Sequence, residues 1–363
     1  MTVPPPSAAA QRAATRKNIA IRLAGLTVIS LVIWLLFTRL VAWSDVAAAV
    51  SGLTATEWLL LAGVSAVRLG IEPLLLMAST PALRWPRALV SFLAPAATAS
   101  VLPGPSDMVV RYAMFRSWGY SGAQTSASVL LVFLYLTFAK IALPVVAVGV
   151  FLGFGRSNAQ LETLAVIAAG AFLGGVLLMF LLLRSERTAR SLGRAVGSAA
   201  KRIASWLHVN TAETLGADLA DRAAHFRDRT GYVVRERTHL AAAAAAMGQA
   251  GLFAILLVSI RAVGIESSQL DWPAIFAAFA LVQLLTSVPI TPSGLGVAEA
   301  AYVAFLTAAG TASLAGQIAA AAIIYRLFSW VIVIPLGGIS WAWWTTSRRR
   351  AGSTDVDQLP DDG

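Results

Sequence analysis

Residues 287–305 read SVPITPSGLGVAEAAYVAF. This stretch joins an apolar run at 275–285 to a second at 297–309, through Pro289, Pro292, Gly294 and Gly296. A helix does not continue through such a segment, because proline lacks the N–H and glycine costs backbone entropy. Glu299 then stands at the mouth of the second run, where an acid meets unpaired N–H groups and the positive end of the helix dipole. In a soluble protein this would be an ordinary helix–loop–helix. The rest of the chain places it inside a membrane.

Of 363 residues, 58% are hydrophobic and 13% charged, with a mean hydropathy of +0.73. Apolar runs of helix length recur at 19–43, 58–77, 126–154, 164–183, 240–260 and 318–344. About 20 apolar residues rising 1.5 Å each cross a hydrocarbon core of roughly 30 Å. Six such runs predict a polytopic membrane protein. The first follows Arg12, Arg16 and Lys17 as a signal peptide would, but it is too long for a signal h-region and is read as a retained span. The chain has no cysteine, which excludes disulfides, thiolate metal sites and a cysteine nucleophile. The net charge of +10 does not point to nucleic acid, because the basic residues gather in a few loops as the positive-inside rule expects.

The N-terminus, the loop 184–238 and the end at 348–350 are the basic segments, the loop holding eleven Arg/Lys against six Asp/Glu. All three are expected in the cytoplasm. Four clear runs separate the first two, so residues 88–121 must enter and leave on one side. Their centre, SVLPGPSD at 100–107, is a second proline–glycine breaker. It matches SVPITPSG at 287–294 at four of eight positions, and each breaker is followed about 40 residues later by a cation in a long apolar run, Lys140 and Arg326. The expectation is an all-α polytopic membrane protein with six full spans and two broken re-entrant hairpins, or eight to ten helices if the broken segments count separately. Three spans per half would invert the second half on the first, an arrangement found in transporters with broken helices meeting near the midplane. The domains are then a disordered cytoplasmic N-terminus (1–18), a transmembrane domain (19–346, halves 19–154 and 162–346 with the loop 184–238), and a cytoplasmic tail (347–363). Within the loop, Arg187, Arg190, Arg194, Lys201 and Arg202 alternate with apolar residues. That suits either an amphipathic helix on an anionic leaflet or a solvated loop that fixes topology. Residues 211–237 read as a soluble helix.

Charged residues inside spans cost about 2.5–3.5 kcal/mol or more and face a partner or a wet cavity. Arg68 and Glu72, four apart, share one helix face and form either a self-neutralising pair or part of a substrate path. Lys140 and Arg326 have no acid at helical reach, so their partner comes from Glu72, Asp107, Glu299, a backbone end or an anionic ligand such as phosphate. Ser106, Asp107 and Arg111 begin the leg after the first breaker, as Ser293, Gly294, Gly296 and Glu299 close the second. Capping is the simpler role for Asp107 and Glu299, and phosphate binding at exposed N–H groups the other. His208, His225 and His239 lack a metal spacing, and no P-loop, GxSxG or HExxH occurs. No cofactor and no catalytic residue are expected.

PSGLGVAEAAYVAFLTAAG (292–310) resembles the signature of the lysylphosphatidylglycerol synthase/flippase membrane-domain family. Pro292, Gly294, Leu295, Gly296, Val297 and Glu299 match, while Ser293 and Ala298 depart, the latter losing an Arg beside the Glu. LPGPSDMVVRYAMFRSWGYS (102–121) is similar to the family's first breaker, and IIYRLFSWVIVIPLGG (323–338) to its last span, with Arg326 in place. Many relatives carry Glu-Arg and Asp where Val132, Phe133 and Leu136 stand. The resemblance implies a multi-span domain proposed to move aminoacylated or other polar lipids between leaflets. Aminoacyl transfer in that family belongs to a separate soluble domain after the last span, so synthase activity is not expected of this sequence. The expected function is a non-enzymatic, flippase-like transporter of a phospho- or glycolipid in a bacterial inner membrane, both termini cytoplasmic, its ligand a phosphate-bearing headgroup. The alternatives are a membrane enzyme acting on a lipid-linked sugar, using Asp45, Glu57, Glu266 or Asp271, and a non-transporting partner of lipid or cell-envelope enzymes.

Overall fold

The computed structural model describes residues 51–101, 106–154, 215–287, 294, 296–308 and 312–356, with 170, 173 and 174, and among them every regular element is helical. α1 (Ala55–Ser79) starts at a capping box, the Glu57 N–H donating to Thr54 Oγ1 at 3.3 Å and the Thr54 N–H to Glu57 Oε2 at 2.7 Å. α2 (Trp85–Val101) and α3 (Ser106–Ser117) flank the first breaker. α4 (Gly122–Gly153) opens on a second capping box, Ser121 with Gln124. After α5 (Leu215–Ala262) come α6 (Trp272–Leu285), whose first turn is capped by Asp271, and α7 (Val297–Ala308) beyond the second breaker. A 3-10 turn (Ala312–Leu314) leads into α8 (Ala315–Arg326), a π turn (Leu327–Val331) and α9 (Val333–Val356).

Among the described residues four helical stretches are long and apolar enough to cross a membrane: Ala55–Ser79, Gly122–Gly153, Glu236–Ala262 and Ala315–Ser347. They coincide with four of the six expected runs; 19–43 and 164–183 lie outside the described residues, as does the basic stretch 187–206. The 12 residues of α3 and of α7 rise only about 18 Å each, short of a hydrocarbon core. Both short pairs, α2 with α3 and α6 with α7, pack side by side. Two expectations differ in detail. Residues 211–237 were to form a separate helix, but one 48-residue helix runs through 215–262. A lone Gly231 costs a helix only about 1 kcal/mol and does not break it. The run 318–344, expected as one long span, is widened by the π turn, where the Ile332 N–H donates to Leu327 O at 3.0 Å. Pro335 supplies the reason: it offers no N–H to the Val331 carbonyl and its ring crowds that group.

The bundle closes through small residues, since apolar burial does not drive helices together in lipid. α1 and α5 make the most extensive contact, along a stripe of Ala241, Ala244, Ala245, Gly248 and Gly251. A Cβ on Gly251 would stand 2.9 Å from Arg68 Cγ, so glycine is what admits that side chain. Gly337 of α9 plays the same part against Leu93 and Ala97 of α2. The largest apolar core joins Leu61, Ile255, Ile260, Ile275, Phe279, Tyr302 and Ile324. On the outside Leu59 is 74% exposed, Val67 64% and Ile339 68%, a surface that suits acyl chains.

Candidate functional site

Gly294 and Gly296 have φ of +68° and +76°, a region that a side chain makes costly. This turn delivers the chain into α7, whose first intrahelical bond runs from the Ala300 N–H to Gly296 O at 3.1 Å. Glu299 therefore lies in the first turn, as expected of a cap, but its carboxylate reaches across to α8. Glu299 Oε1 accepts from Arg326 Nε at 2.5 Å, with side chains 6% and 14% exposed. Its second oxygen, Oε2, is buried and has no hydrogen-bond partner among the described residues. Tyr302 and Tyr325 pack edge-on beside the pair at 5.5 Å between rings, and the Arg326 guanidinium lies 5.4 Å from the Trp330 ring centre.

A cavity of about 210 Å³ opens between α4, α5, α6, α7, α8 and the π turn. Lys140 and Arg326 both line it, with Gln283, Thr286, Tyr302, Tyr325 and Ser329. Among the described residues Lys140 forms no ion pair. Its charge is thus held at the cavity wall without a carboxylate against it. Gln283 is steadied from behind by Gln249, Nε2 donating to Oε1 at 2.8 Å.

The second ion pair adjoins this site. Arg68 NH2 donates to Glu72 Oε1 at 2.8 Å, the side chains 8% and 10% exposed. Arg68 NH1 donates to Ser329 O at 3.0 Å, a carbonyl in the widened turn. The expected i,i+4 pair is present, and it also latches the π turn on which Ser329 and Trp330 face the cavity.

Asp107 and Arg111 stand apart from the cavity. Arg111 is buried, its Nε donating to Ser91 O at 3.2 Å, with NH1 3.9 Å from Asp107 Oδ2. Asp107 is a third exposed, so it does not mirror Glu299 as the paired breakers led one to expect. Ser106 opens α3 and does not line the cavity, and Ser293 lies outside the described residues. Tyr302, Tyr325, Gln249, Gln283 and Trp330 were not among the expected site residues. A polar or aromatic side chain within each apolar run was the available signal. No three His, Cys, Asp or Glu side chains come together as a metal site among the described residues.

The site therefore combines one cation without a carboxylate, one buried ion pair with a spare carboxylate oxygen, and aromatic and amide donors around a small cavity in an apolar bundle. Such a site can hold an anion with two or three charged or polar contacts. The family model for the lysylphosphatidylglycerol synthase TM region matches residues 22–337, including both breakers and the Glu299–Arg326 pair. The chain belongs to this family. It is a multi-pass membrane protein of a lipid-handling family, and Glu299 and Arg326 form an ion pair that ties α7 to α8 just after the second breaker. No curated protein matches the chain significantly.

Proposed function

We propose that this member of the lysylphosphatidylglycerol synthase transmembrane family moves a polar lipid with a phosphate-bearing headgroup between leaflets. The headgroup enters the cavity and the acyl chains remain in the bilayer. One observation carries the reading: Lys140 and Arg326 share a cavity wall inside the bundle, Lys140 without a carboxylate at ion-pair distance. A lone cation at such a depth is tolerated only with a partner or water, and a lipid phosphate supplies the partner. The setting is a bacterial inner membrane with both termini in the cytoplasm, and a lipid-modifying or cell-envelope enzyme would supply or consume the lipid.

Non-enzymatic function is part of the same proposal. Of the outer-loop acids available to a glycosyl-transfer chemistry, Glu57 is occupied in the capping box of α1 and Asp271 caps α6 through the Ala274 N–H at 3.2 Å. Glu266 accepts from Ser268 Oγ at 3.2 Å, and Asp45 lies outside the described residues. These are structural duties. The test is a leaflet-resolved assay in proteoliposomes, in which dithionite quenches a headgroup-labelled fluorescent phospholipid from outside. Transfer above protein-free vesicles is expected, and a rate equal to theirs would contradict the reading.

A further inference from the structure

The charged side chains around the cavity do not cancel. Lys140 and Arg326 line it, and Glu299 answers Arg326 from the first turn of α7. Beyond Ser329 the Arg68–Glu72 pair closes on itself at 2.8 Å and adds no net charge. α6 carries no ionisable side chain along 272–285. Two cations against one carboxylate sum to one positive charge, that of Lys140. Among the described residues lining the cavity none is acidic. A single phosphodiester brings the one negative charge that balances this sum. A headgroup that also carries an ammonium does not. Its phosphate can meet Lys140, but its ammonium then stands beside two cations with no acid at the wall, and like charges repel strongly where water does not screen them.

We infer that the cavity takes lipids whose headgroup carries one phosphodiester charge and no amine, the class of phosphatidylglycerol, and turns away zwitterionic and aminoacylated lipids. This selection rests on the phosphate-lipid reading above and adds to it the lack of an acid at the wall. The neutral lining groups do not replace that acid. Gln283, Thr286 and Ser329 present amide and hydroxyl groups, which bond a headgroup hydroxyl without offsetting an ammonium charge. The aromatic rings that could cradle an ammonium are engaged. The Arg326 guanidinium lies 5.4 Å from the Trp330 ring centre, and Tyr302 and Tyr325 pack edge-on against each other at 5.5 Å, both buried. Phosphatidylglycerol esterified with lysine brings two ammonium groups and a net positive charge, so it suits the site least.

The experiment titrates the full-length protein in detergent, by calorimetry, with dihexanoyl phospholipids that differ only in headgroup. Phosphatidylglycerol should bind at least about tenfold more tightly than phosphatidylethanolamine or phosphatidylcholine, and the lysyl ester should bind most weakly. N-acetyl phosphatidylethanolamine, which keeps the ethanolamine but loses its charge, should bind nearly as well as phosphatidylglycerol. The preference should vanish in Lys140→Met and persist in Lys140→Arg. Equal or tighter binding of a zwitterionic lipid or the lysyl ester by the native protein overturns the charge selection and leaves the phosphate site standing. An N-acetyl lipid as weak as phosphatidylethanolamine, or a full preference in Lys140→Met, assigns selection to shape and overturns it as well. Binding of none of these lipids overturns the phosphate-lipid reading and this inference with it. Glycerophosphoglycerol, the same headgroup without acyl chains, should bind at least about tenfold more weakly than the lipid. Equal binding would make the cargo a soluble phosphate ester and overturn the lipid reading.

Discussion

Gly251→Ala tests how the Arg68 latch is packed. The added Cβ would lie 2.9 Å from Arg68 Cγ and 3.0 Å from its Cβ, closer than side chains settle. Forcing such a contact into a packed interface costs about 1–3 kcal/mol. Against this, replacing glycine by alanine inside a helix gains about 0.8–1.0 kcal/mol, so the net expectation is a loss of about 1 kcal/mol. Gly248, one turn away on the same α5 stripe, is the control: its Cβ would meet Glu72 Oε1 at 3.5 Å, an ordinary contact. Gly248→Ala keeps the propensity gain and should be neutral or stabilising. Thermal unfolding of the purified protein should therefore rank Gly248→Ala at or above native and Gly251→Ala below it, by about 2–4 °C for each kcal/mol. The displaced Arg68 also loses its aim at Ser329 O, so lipid transfer in Gly251→Ala should fall more than its unfolding temperature suggests. Equal stability of the two variants would refute the close packing of α1 on α5.

Two further outcomes are expected. Asn in place of Asp45, Glu57, Glu266 or Asp271 should leave lipid transfer near native, whereas Asp271→Ala should cost about 1 kcal/mol of stability by removing the α6 cap; loss of function at normal membrane levels in any Asn variant would favour the enzyme reading. Single cysteines introduced into this cysteine-free chain at Ser198 and Ser267 should differ in labelling by an impermeant reagent, Ser267 reacting from outside and Ser198 not, and the reverse would overturn the cytoplasmic placement of the 184–238 loop.

The parts legible in the sequence were those written in local spacing. Apolar run length gave four spans to within a few residues, and the i,i+4 interval of Arg68 and Glu72 gave their pairing. Gly294 and Gly296 announced the turn that their positive φ requires. What depends on packing between distant segments was not legible. Glu299 and Arg326 are 27 residues apart, and only the docking of α7 on α8 selects this acid from the three that could have served. The bond from Arg68 to Ser329 O spans 261 residues and ends on a π turn, for which Pro335 was the sole local hint. Similarity between the two breakers suggested equal roles for Asp107 and Glu299. Position in the bundle separates them, since one ends a third exposed beside its own helix's arginine and the other is buried against a neighbouring helix.

Lys140→Met offers the most direct measurement. The substitution keeps the length of the side chain, removes the charge and, because Lys140 forms no ion pair among the described residues, leaves no carboxylate stranded. In proteoliposomes the transfer rate of a fluorescent anionic phospholipid should drop at least about tenfold, equivalent to about 1.4 kcal/mol, while the protein unfolds within a few degrees of native. Transfer at the native rate by folded Lys140→Met would contradict a phosphate-facing role for this cation and, with it, the proposed headgroup site.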